Sequence, residues 1–277
     1  VIPDARGLPY NGQKSFFSGF LPATHQGTLI KPNAPSPIHD LFPSKSAEFI
    51  TPASEREGLS LLETLNREHW RSHQGDSRLD ARIQSYELAA RMQLSAPPIL
   101  DESTESEETR RLYGLNDTKT EEFGRSCLMA RRLSEAGVRF VQVWSGMNGA
   151  VGNWDNHSNI ERDLSSIAGR VDKPIAGLFR DLKGRGLLDD TLLVWTTEFG
   201  RMPFGQGTSG RDHNGGTFVT WLAGAGVKPG EIHGESDEWG WKGALNSTSV
   251  HDLHATILHL MGIDHKRLTY LHNGINR

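Results

Sequence analysis

The sequence predicts an α/β fold: a mostly parallel sheet flanked by helices. Three observations carry that expectation. Residues 139–144 (RFVQVW), 191–195 (TLLVW, running on to 197) and 217–223 (TFVTWLA) are short apolar runs of strand length. A long helical pattern at 160–185 separates the first two, and strand–helix–strand alternation is how parallel sheets are built. Polar, Gly-rich segments with Asp, Glu and His side chains adjoin the same ends of these runs, where open α/β sheets bind ligands.

The elements follow in order. Residues 1–52 are dense in Gly, Pro, Asn and Ser, with isolated aromatics Tyr10, Phe16, Phe17 and Phe20. They read as an irregular arm, either a substrate loop or a surface arm. Residues 53–136 read as a helical insert. Thr51 to Ser54, with Pro52 and then Glu55 and Glu57, give helix start signals, and Leu59, Leu61, Leu62, Leu65 and Trp70 recur at helical spacing. A second helix is expected at 79–95, with Ile83, Leu88, Ala89 and Met92 on one face and Ala96-Pro97-Pro98 ending it. The acidic segment 101–111 reads as a loop entering a short helix. A helix at 121–136 turns Phe123, Cys127, Leu128, Ala130 and Leu133 inward and stops at Gly137.

Residues 137–277 form the expected α/β core. After strand 139–144 comes a Gly-rich loop to Asn153, then the 160–185 helix, kinked near Pro174, a turn at Gly186 and strand 191–197. A second Gly-rich loop leads to strand 217–223, a turn-rich link at 225–234 and a helix at 251–261 capped by Ser247 to Ser249. The whole reads as one domain, 1–277. Val1-Ile2-Pro3 resembles the end of a strand and the last residues carry no helix stop, so the expectation is a fragment incomplete at its N-terminus.

Composition narrows the function. A net charge of −4 gives no electrostatic case for a nucleic-acid partner or an anionic membrane. No apolar run reaches membrane-spanning length, and no signal peptide is visible. One cysteine, Cys127, excludes an internal disulfide and a Cys-based zinc cluster.

The ligand-type residues point to metal-assisted hydrolysis. Asp155 and His157 lie in NWDNH at 153–157, Glu198 in TTEFGR at 196–201, and Asp212 and His213 in GRDH at 210–213. Two imidazoles and a carboxylate (Asp155, His157, His213) suit Zn²⁺, with Ca²⁺ or Mg²⁺ as alternatives. Glu198 offers a further ligand for a second or bridging ion. Asp212 is read either as a ligand or as the group that orients His213. Arg201 and Arg211 are candidates for oxyanion contacts. Plainer readings stand beside these: Asp155 in a turn on its own backbone, Glu198 paired with Arg201, Asp212 as a cap, Arg211 as a structural arginine. His69 and His73, one helical turn apart, read as a solvated face, and His251 and His254 as packing or capping residues. Trp154 is a candidate pocket wall. Trp195 and Trp221 read as core, and Trp239 and Trp241 as candidates for an exposed platform. The Gly-rich loop at 200–216 lacks the lysine and spacing of a phosphate-binding loop.

These motifs carry a resemblance. The opening PDARGLPYNGQKSFFSGFLPATHQGT, then CLMARRLSEAGVRFVQV, NWDNHSN, TLLVWTTEFGR, GRDHNGGTFVTWLAGAGVKPGEIHG and HDLHATILHLMGID resemble the DUF1501 family. Its members are exported bacterial proteins related to the alkaline phosphatase and sulfatase superfamily. The resemblance implies an alkaline-phosphatase-like core, an exported or periplasmic setting, and a metal site at Asp155, His157 and His213, with Glu198 where an Asp of a second site would fall. It also implies a nucleophile in an N-terminal region outside this chain, since no Ser, Thr or Cys here fits that role. Glu198-Phe199 stands where the superfamily has Asp-His, so the second site loses a histidine. The expected function is metal-dependent hydrolysis of sulfate or phosphate esters, on a small-molecule or glycan substrate, by the full-length protein, with the nucleophile either in the N-terminal region or replaced by metal-bound water and this fragment inactive alone. The alternative is a degenerate sulfatase-like protein that binds a ligand such as a sulfated glycan.

Overall fold

The computed structural model describes residues 1–22, 25–38, 50–73, 79, 83, 87, 96–149 and 152–277. The chain divides into two compact units: Val1–Glu107 with Arg125–Asn148, and Glu108–Gly124 with Gly149–Arg277.

In the first unit, helix α1 (Pro52–Ser72) starts where the sequence marks it. Thr51 caps it, with Ser54 N–H donating to the Thr51 hydroxyl at 3.1 Å and Thr51 N–H to the Ser54 hydroxyl at 2.9 Å. Its Leu61, Leu62, Leu65 and Trp70 are all exposed. Most of the helix expected at 79–95 lies outside the described residues. Residues 79, 83 and 87 are helical, and so are 96–100, which include the Ala96-Pro97-Pro98 expected as a stop. The short α2 (Glu107–Leu112) belongs, Glu107 apart, to the second unit; α3 (Glu121–Glu135), part of the first unit from Arg125 on, is stopped by Gly137 at φ +89°.

The core of this unit is Ile2, Ile30, Met129, Ala130 and Leu133, with Ile99, Leu100, Val141 and Val143 packed against it. The strand expected at 139–144 reduces to one parallel bridge between Ile2 and Val143. Ile2 N–H donates to the Gln142 carbonyl (2.7 Å), and Trp144 N–H donates to the Ile2 carbonyl (2.9 Å). Arg132 ties α3 to the preceding segment, donating to the Ile99 and Pro98 carbonyls at 2.7 Å each and pairing with Glu105. Burial would raise the Glu105 carboxyl, but Arg131 and Arg132 hold it below the usual carboxylate range. Cys127 is buried on α3, and desolvation pushes its thiol well above the ordinary range. It is a packing residue with no thiolate to offer.

In the second unit, helix α4 (Ile160–Gly184) is capped by Asn159, whose side chain accepts from Arg162 N–H (3.2 Å). It carries Pro174 in its interior and buries Ile167, Val171, Pro174, Gly177, Leu178, Asp181 and Leu182. That face packs on the segment after α2. The Tyr113 hydroxyl donates to Asp181 at 3.0 Å, and a β-carbon on Gly177 would lie 2.5 Å from the Leu112 carbonyl oxygen.

The parallel sheet does not form. The described strands pair only as short antiparallel twos: β1 (Leu193–Trp195) with β4 (Trp221–Ala223), and β2 (Gly200–Arg201) with β3 (His213–Asn214). Two further pairs are β5 (Glu235–Ser236) with β6 (Gly243–Leu245), and β7 (Leu271–His272) with β8 (Ile275–Asn276). The architecture is therefore a helix–strand mix with small antiparallel hairpins. The physical reason lies between β1 and β4. A parallel pair needs a crossover that carries the chain back to its starting end. Here the Gly-rich segment pairs with itself, Gly200 opposite Asn214 and Arg201 opposite His213, and so reverses the chain at once. The last turn, Asn273-Gly274, has both φ values positive (51° and 77°), the form that a two-residue hairpin favours. Helix α5 (Val250–Leu260) is capped reciprocally by Ser249 and Asp252. Among the described residues no helix is long and apolar enough to cross a membrane.

Candidate metal centre

Three segments of the second unit build the site: the turn before α4, the β2–β3 hairpin and the loop at its tip. The turn tightens through two successive three-residue hydrogen bonds, Asn156 N–H to the Trp154 carbonyl and His157 N–H to the Asp155 carbonyl, both 3.0 Å. This curl brings the side chains of Asp155 and His157 to one point. The returning arm of the hairpin then lies along the turn. Arg211 N–H donates to the Asn156 carbonyl (3.0 Å), the Ser209 hydroxyl donates to the Ser158 carbonyl (2.8 Å), and Asn159 bridges Ser209 in parallel. Contact is close enough to require glycine at 210, where a β-carbon would sit 2.0 Å from the His157 carbonyl oxygen.

The hairpin delivers His213. Its Nε2 lies 2.8 Å from Asp155 Oδ1 and 3.0 Å from His157 Nε2, and His157 Nε2 lies 2.9 Å from the same Asp155 oxygen. Asp155, His157 and His213 thus form a cluster able to hold a metal ion. The donor set fits one. Three atoms about 2.9 Å apart lie on a circle of radius about 1.7 Å, so an ion at the usual Zn–N and Zn–O distance of about 2.0–2.1 Å sits about 1.2 Å above their plane. Tetrahedral spacing needs the three atoms to part by only about 0.4 Å.

Neighbouring groups set the state of each ligand. His157 Nδ1 faces Gln206 Oε1 at 2.6 Å, with Asp212 Oδ1 further off at 3.9 Å. A proton held on Nδ1 by these acceptors leaves the Nε2 lone pair directed at the cluster, the arrangement that metal-ligating histidines use. Burial would raise the Asp155 carboxyl. Hydrogen bonds from His213 and Arg201, with the charges of His157 and Arg201, outweigh it and keep the group below the ordinary carboxylate range. Asp155 is therefore an ionised acceptor at neutral pH. The His213 ring stacks on Phe199 with centroids 4.1 Å apart, and the Arg201 guanidinium lies 5.8 Å from the Phe199 centroid. His213 is exposed while Asp155 and His157 are half-buried, so the cluster opens to solvent on one side.

The remaining expected residues are not among the three clustered ligands. Glu198 is exposed, and its carboxylate accepts from the Thr197 hydroxyl at 2.9 Å. Asp212 caps its own neighbour, accepting from His213 N–H at 2.8 Å. Arg201 directs Nη2 to the Asp155 carboxylate (2.9 Å) and the Trp154 carbonyl (3.0 Å), and Nη1 to the Arg211 carbonyl (3.1 Å). Both nitrogens are engaged within the protein. Arg211 Nη1 donates to the Gly210 carbonyl. Trp195 and Trp221, expected in the core, are 42% and 36% exposed.

The model of the DUF1501 family, described as a protein family of unknown function, matches residues 1–277. The chain belongs to the DUF1501 family. No curated protein and no solved structure matches it. Three residues of this DUF1501 chain serve the site without a signal in the sequence that marks them. Gln206 lies in a Gly-rich loop 49 residues from its histidine. Phe199 registers in the sequence only as a replaced ligand. Gly210 is one of 30 glycines, and only the approach of residues 157 and 158 singles it out.

Proposed function

We propose that Asp155, His157 and His213 bind one divalent cation, Zn²⁺ before Ca²⁺ or Mg²⁺, and that the protein hydrolyses a phosphate or sulfate ester there. One observation supports this reading above the others: two imidazole nitrogens and a carboxylate oxygen converge within 3.0 Å of one another on an open side of the unit. Lone pairs of three acceptors at that spacing repel unless a proton or a cation lies among them. Three protein ligands with an open fourth position are the arrangement of catalytic rather than structural zinc sites.

A bound divalent cation supplies charge neutralisation on the ester oxygens and polarises the scissile bond. The residues of the chain do the positioning. Arg201 fixes both the carbonyl of Trp154 and the carboxylate of Asp155, so the turn cannot rotate its ligand away. Gln206 holds the Nδ1 proton of His157. Phe199 sets the ring plane of His213. The choice of ester, the exported setting and the kinship with alkaline phosphatases and sulfatases rest on the motif resemblance.

A second reading draws on Glu198. Its carboxylate lies with Thr197 rather than in the cluster, which leaves a one-ion site of the kind a ligand-binding protein without turnover would retain. Zinc content by elemental analysis, together with hydrolysis of 4-nitrophenyl phosphate and 4-nitrophenyl sulfate, separates the two. The hydrolase reading expects one ion per chain and turnover of one ester, both lost in His213→Ala with the circular dichroism spectrum unchanged. An ion without turnover of either ester favours the binding protein. No ion under zinc, calcium or magnesium loading sinks both.

A further inference from the structure

The second unit holds a cavity of about 450 Å³ walled by Trp154, Trp195, Trp221 and one face of α4 that includes Ala176 and Phe179. We infer that this cavity receives a flat aromatic ring, the organic group of the ester cleaved at the triad; the assignment as an ester group rests on the hydrolase reading above.

The cavity is continuous in chain with the triad. Trp154 immediately precedes Asp155, and a single guanidinium, that of Arg201, fastens the carbonyl of the first and the carboxylate of the second. Trp195 closes β1, and four residues on Phe199 stacks against His213. Both aromatic walls therefore sit on the segments that carry or support the ligands. Helix α4 supplies the third wall by being apolar on two sides. Ile167, Val171, Pro174, Leu178 and Leu182 are buried on one side. Ile175, Phe179 and Ala176 turn about 60°, 100° and 160° away from the centre of that side at about 100° per residue and line the cavity.

The lining selects the occupant. Its volume falls in the range of small-molecule sites, about 300–1,000 Å³. Trp195 and Trp221 oppose each other directly across β1 and β4, yet both remain substantially exposed. Large indole faces left open beside a cavity are covered with gain by another π face, which offset stacking favours beyond area burial alone. A sugar would need a ring of hydrogen-bonding groups, since a buried hydroxyl without a partner is costly. The charged side chains of the lining are only Asp172 and Arg180, which suits the edge of a ring substituent rather than the hydroxyls of a saccharide.

The test uses the full 277-residue chain in equilibrium dialysis against 4-nitrophenol and methyl glucoside, with zinc content measured in the same samples. Saturable binding of 4-nitrophenol is expected, with or without zinc, and no binding of methyl glucoside. Ala176→Trp, at an exposed helix position that projects into the cavity, should weaken that binding at least tenfold while zinc uptake is unchanged. It should also lower kcat/KM for 4-nitrophenyl phosphate at least tenfold and leave that for methyl phosphate unaltered. Trp154→Phe, which keeps an aromatic wall, should retain binding within threefold. Preference for methyl glucoside overturns the inference, as does 4-nitrophenol binding that Ala176→Trp does not change. Zinc bound without saturable 4-nitrophenol binding removes the ring site and leaves the triad reading. Ring binding without any zinc removes the triad reading and leaves the ring site in place.

Discussion

Gly210→Ala tests whether two chain segments must touch for the triad to exist. A β-carbon at 210 would lie 2.0 Å from the His157 carbonyl oxygen, 2.2 Å from its carbonyl carbon and 2.7 Å from Ser158 N. Relief of that overlap needs the hairpin arm to retreat by about 1 Å or more. Three hydrogen bonds then stretch beyond use: Arg211 N–H to the Asn156 carbonyl (3.0 Å), the Ser209 hydroxyl to the Ser158 carbonyl (2.8 Å), and His157 to Gln206 (2.6 Å). At about 1 kcal/mol net each they amount to about 3 kcal/mol, or about 6–12 °C in Tm for a domain of this size. The same retreat carries His213 with it. Its Nε2 moves from 3.0 Å to about 4 Å from His157 Nε2, where a zinc ion with bonds of about 2.0–2.1 Å reaches both nitrogens only in a line and loses Asp155. Zinc affinity should therefore fall by more than the about 10–100-fold that loss of a supporting contact costs. The assays are competition with a chelating zinc indicator and thermal unfolding. Gly205→Ala is the control: its β-carbon meets nothing within 4 Å, so both readouts should match the wild type. Wild-type zinc affinity in Gly210→Ala would refute the close-approach argument, whatever the change in Tm.

Gln206→Leu removes the acceptor from His157 Nδ1 without touching the three ligand atoms, and should weaken zinc binding about tenfold with the thermal midpoint within a few degrees of wild type. Acid sensitivity should trace to Asp4 in the first unit. Burial would raise its carboxyl, but the Arg6 side chain and the Arg6 and Gly146 N–H groups hold it below the ordinary range. A depressed folded-state value stabilises the protein above the unfolded carboxylate range near about pH 4, and that contribution disappears as pH falls through the lower folded value. In urea titrations the wild-type midpoint should therefore drop below about pH 4, and Asp4→Asn, less stable at neutral pH, should show a shallower acid slope; parallel slopes would remove Asp4 from the account.

Local signals carried the helices. The Thr51–Ser54 start, the stop at Gly137 and the cap within Ser247 to Ser249 are short-range patterns, and the structure places helix ends at each. Strand runs were legible as apolar segments, but their partners were not. Apolar character says that a segment is covered and is silent on which neighbour covers it, so residues 139–144 come out as a single bridge to Ile2 and the 191–197 and 217–223 runs pair antiparallel. The convergence of ligands survived that error. Residues after β1 and before β4 share one end of the pair because it is antiparallel, with Trp195 opposite Trp221; in a parallel pair they would lie at opposite ends.

Residue identity alone settles the chemistry of the candidate centre, since a carboxylate and two imidazoles are groups that no fold supplies later. Local sequence also set the helix ends that carry a cap or a glycine stop, because these act within a few residues. Packing between distant segments brings Asp155, His157 and His213 to one point and leaves Glu198 outside. It alone recruited Gln206 from 49 residues away, spent Arg201 on positioning, and required glycine at 210. Those outcomes depend on contacts between segments distant in the chain, whose geometry is set by chain reversal and packing rather than by any property of the residues taken in order.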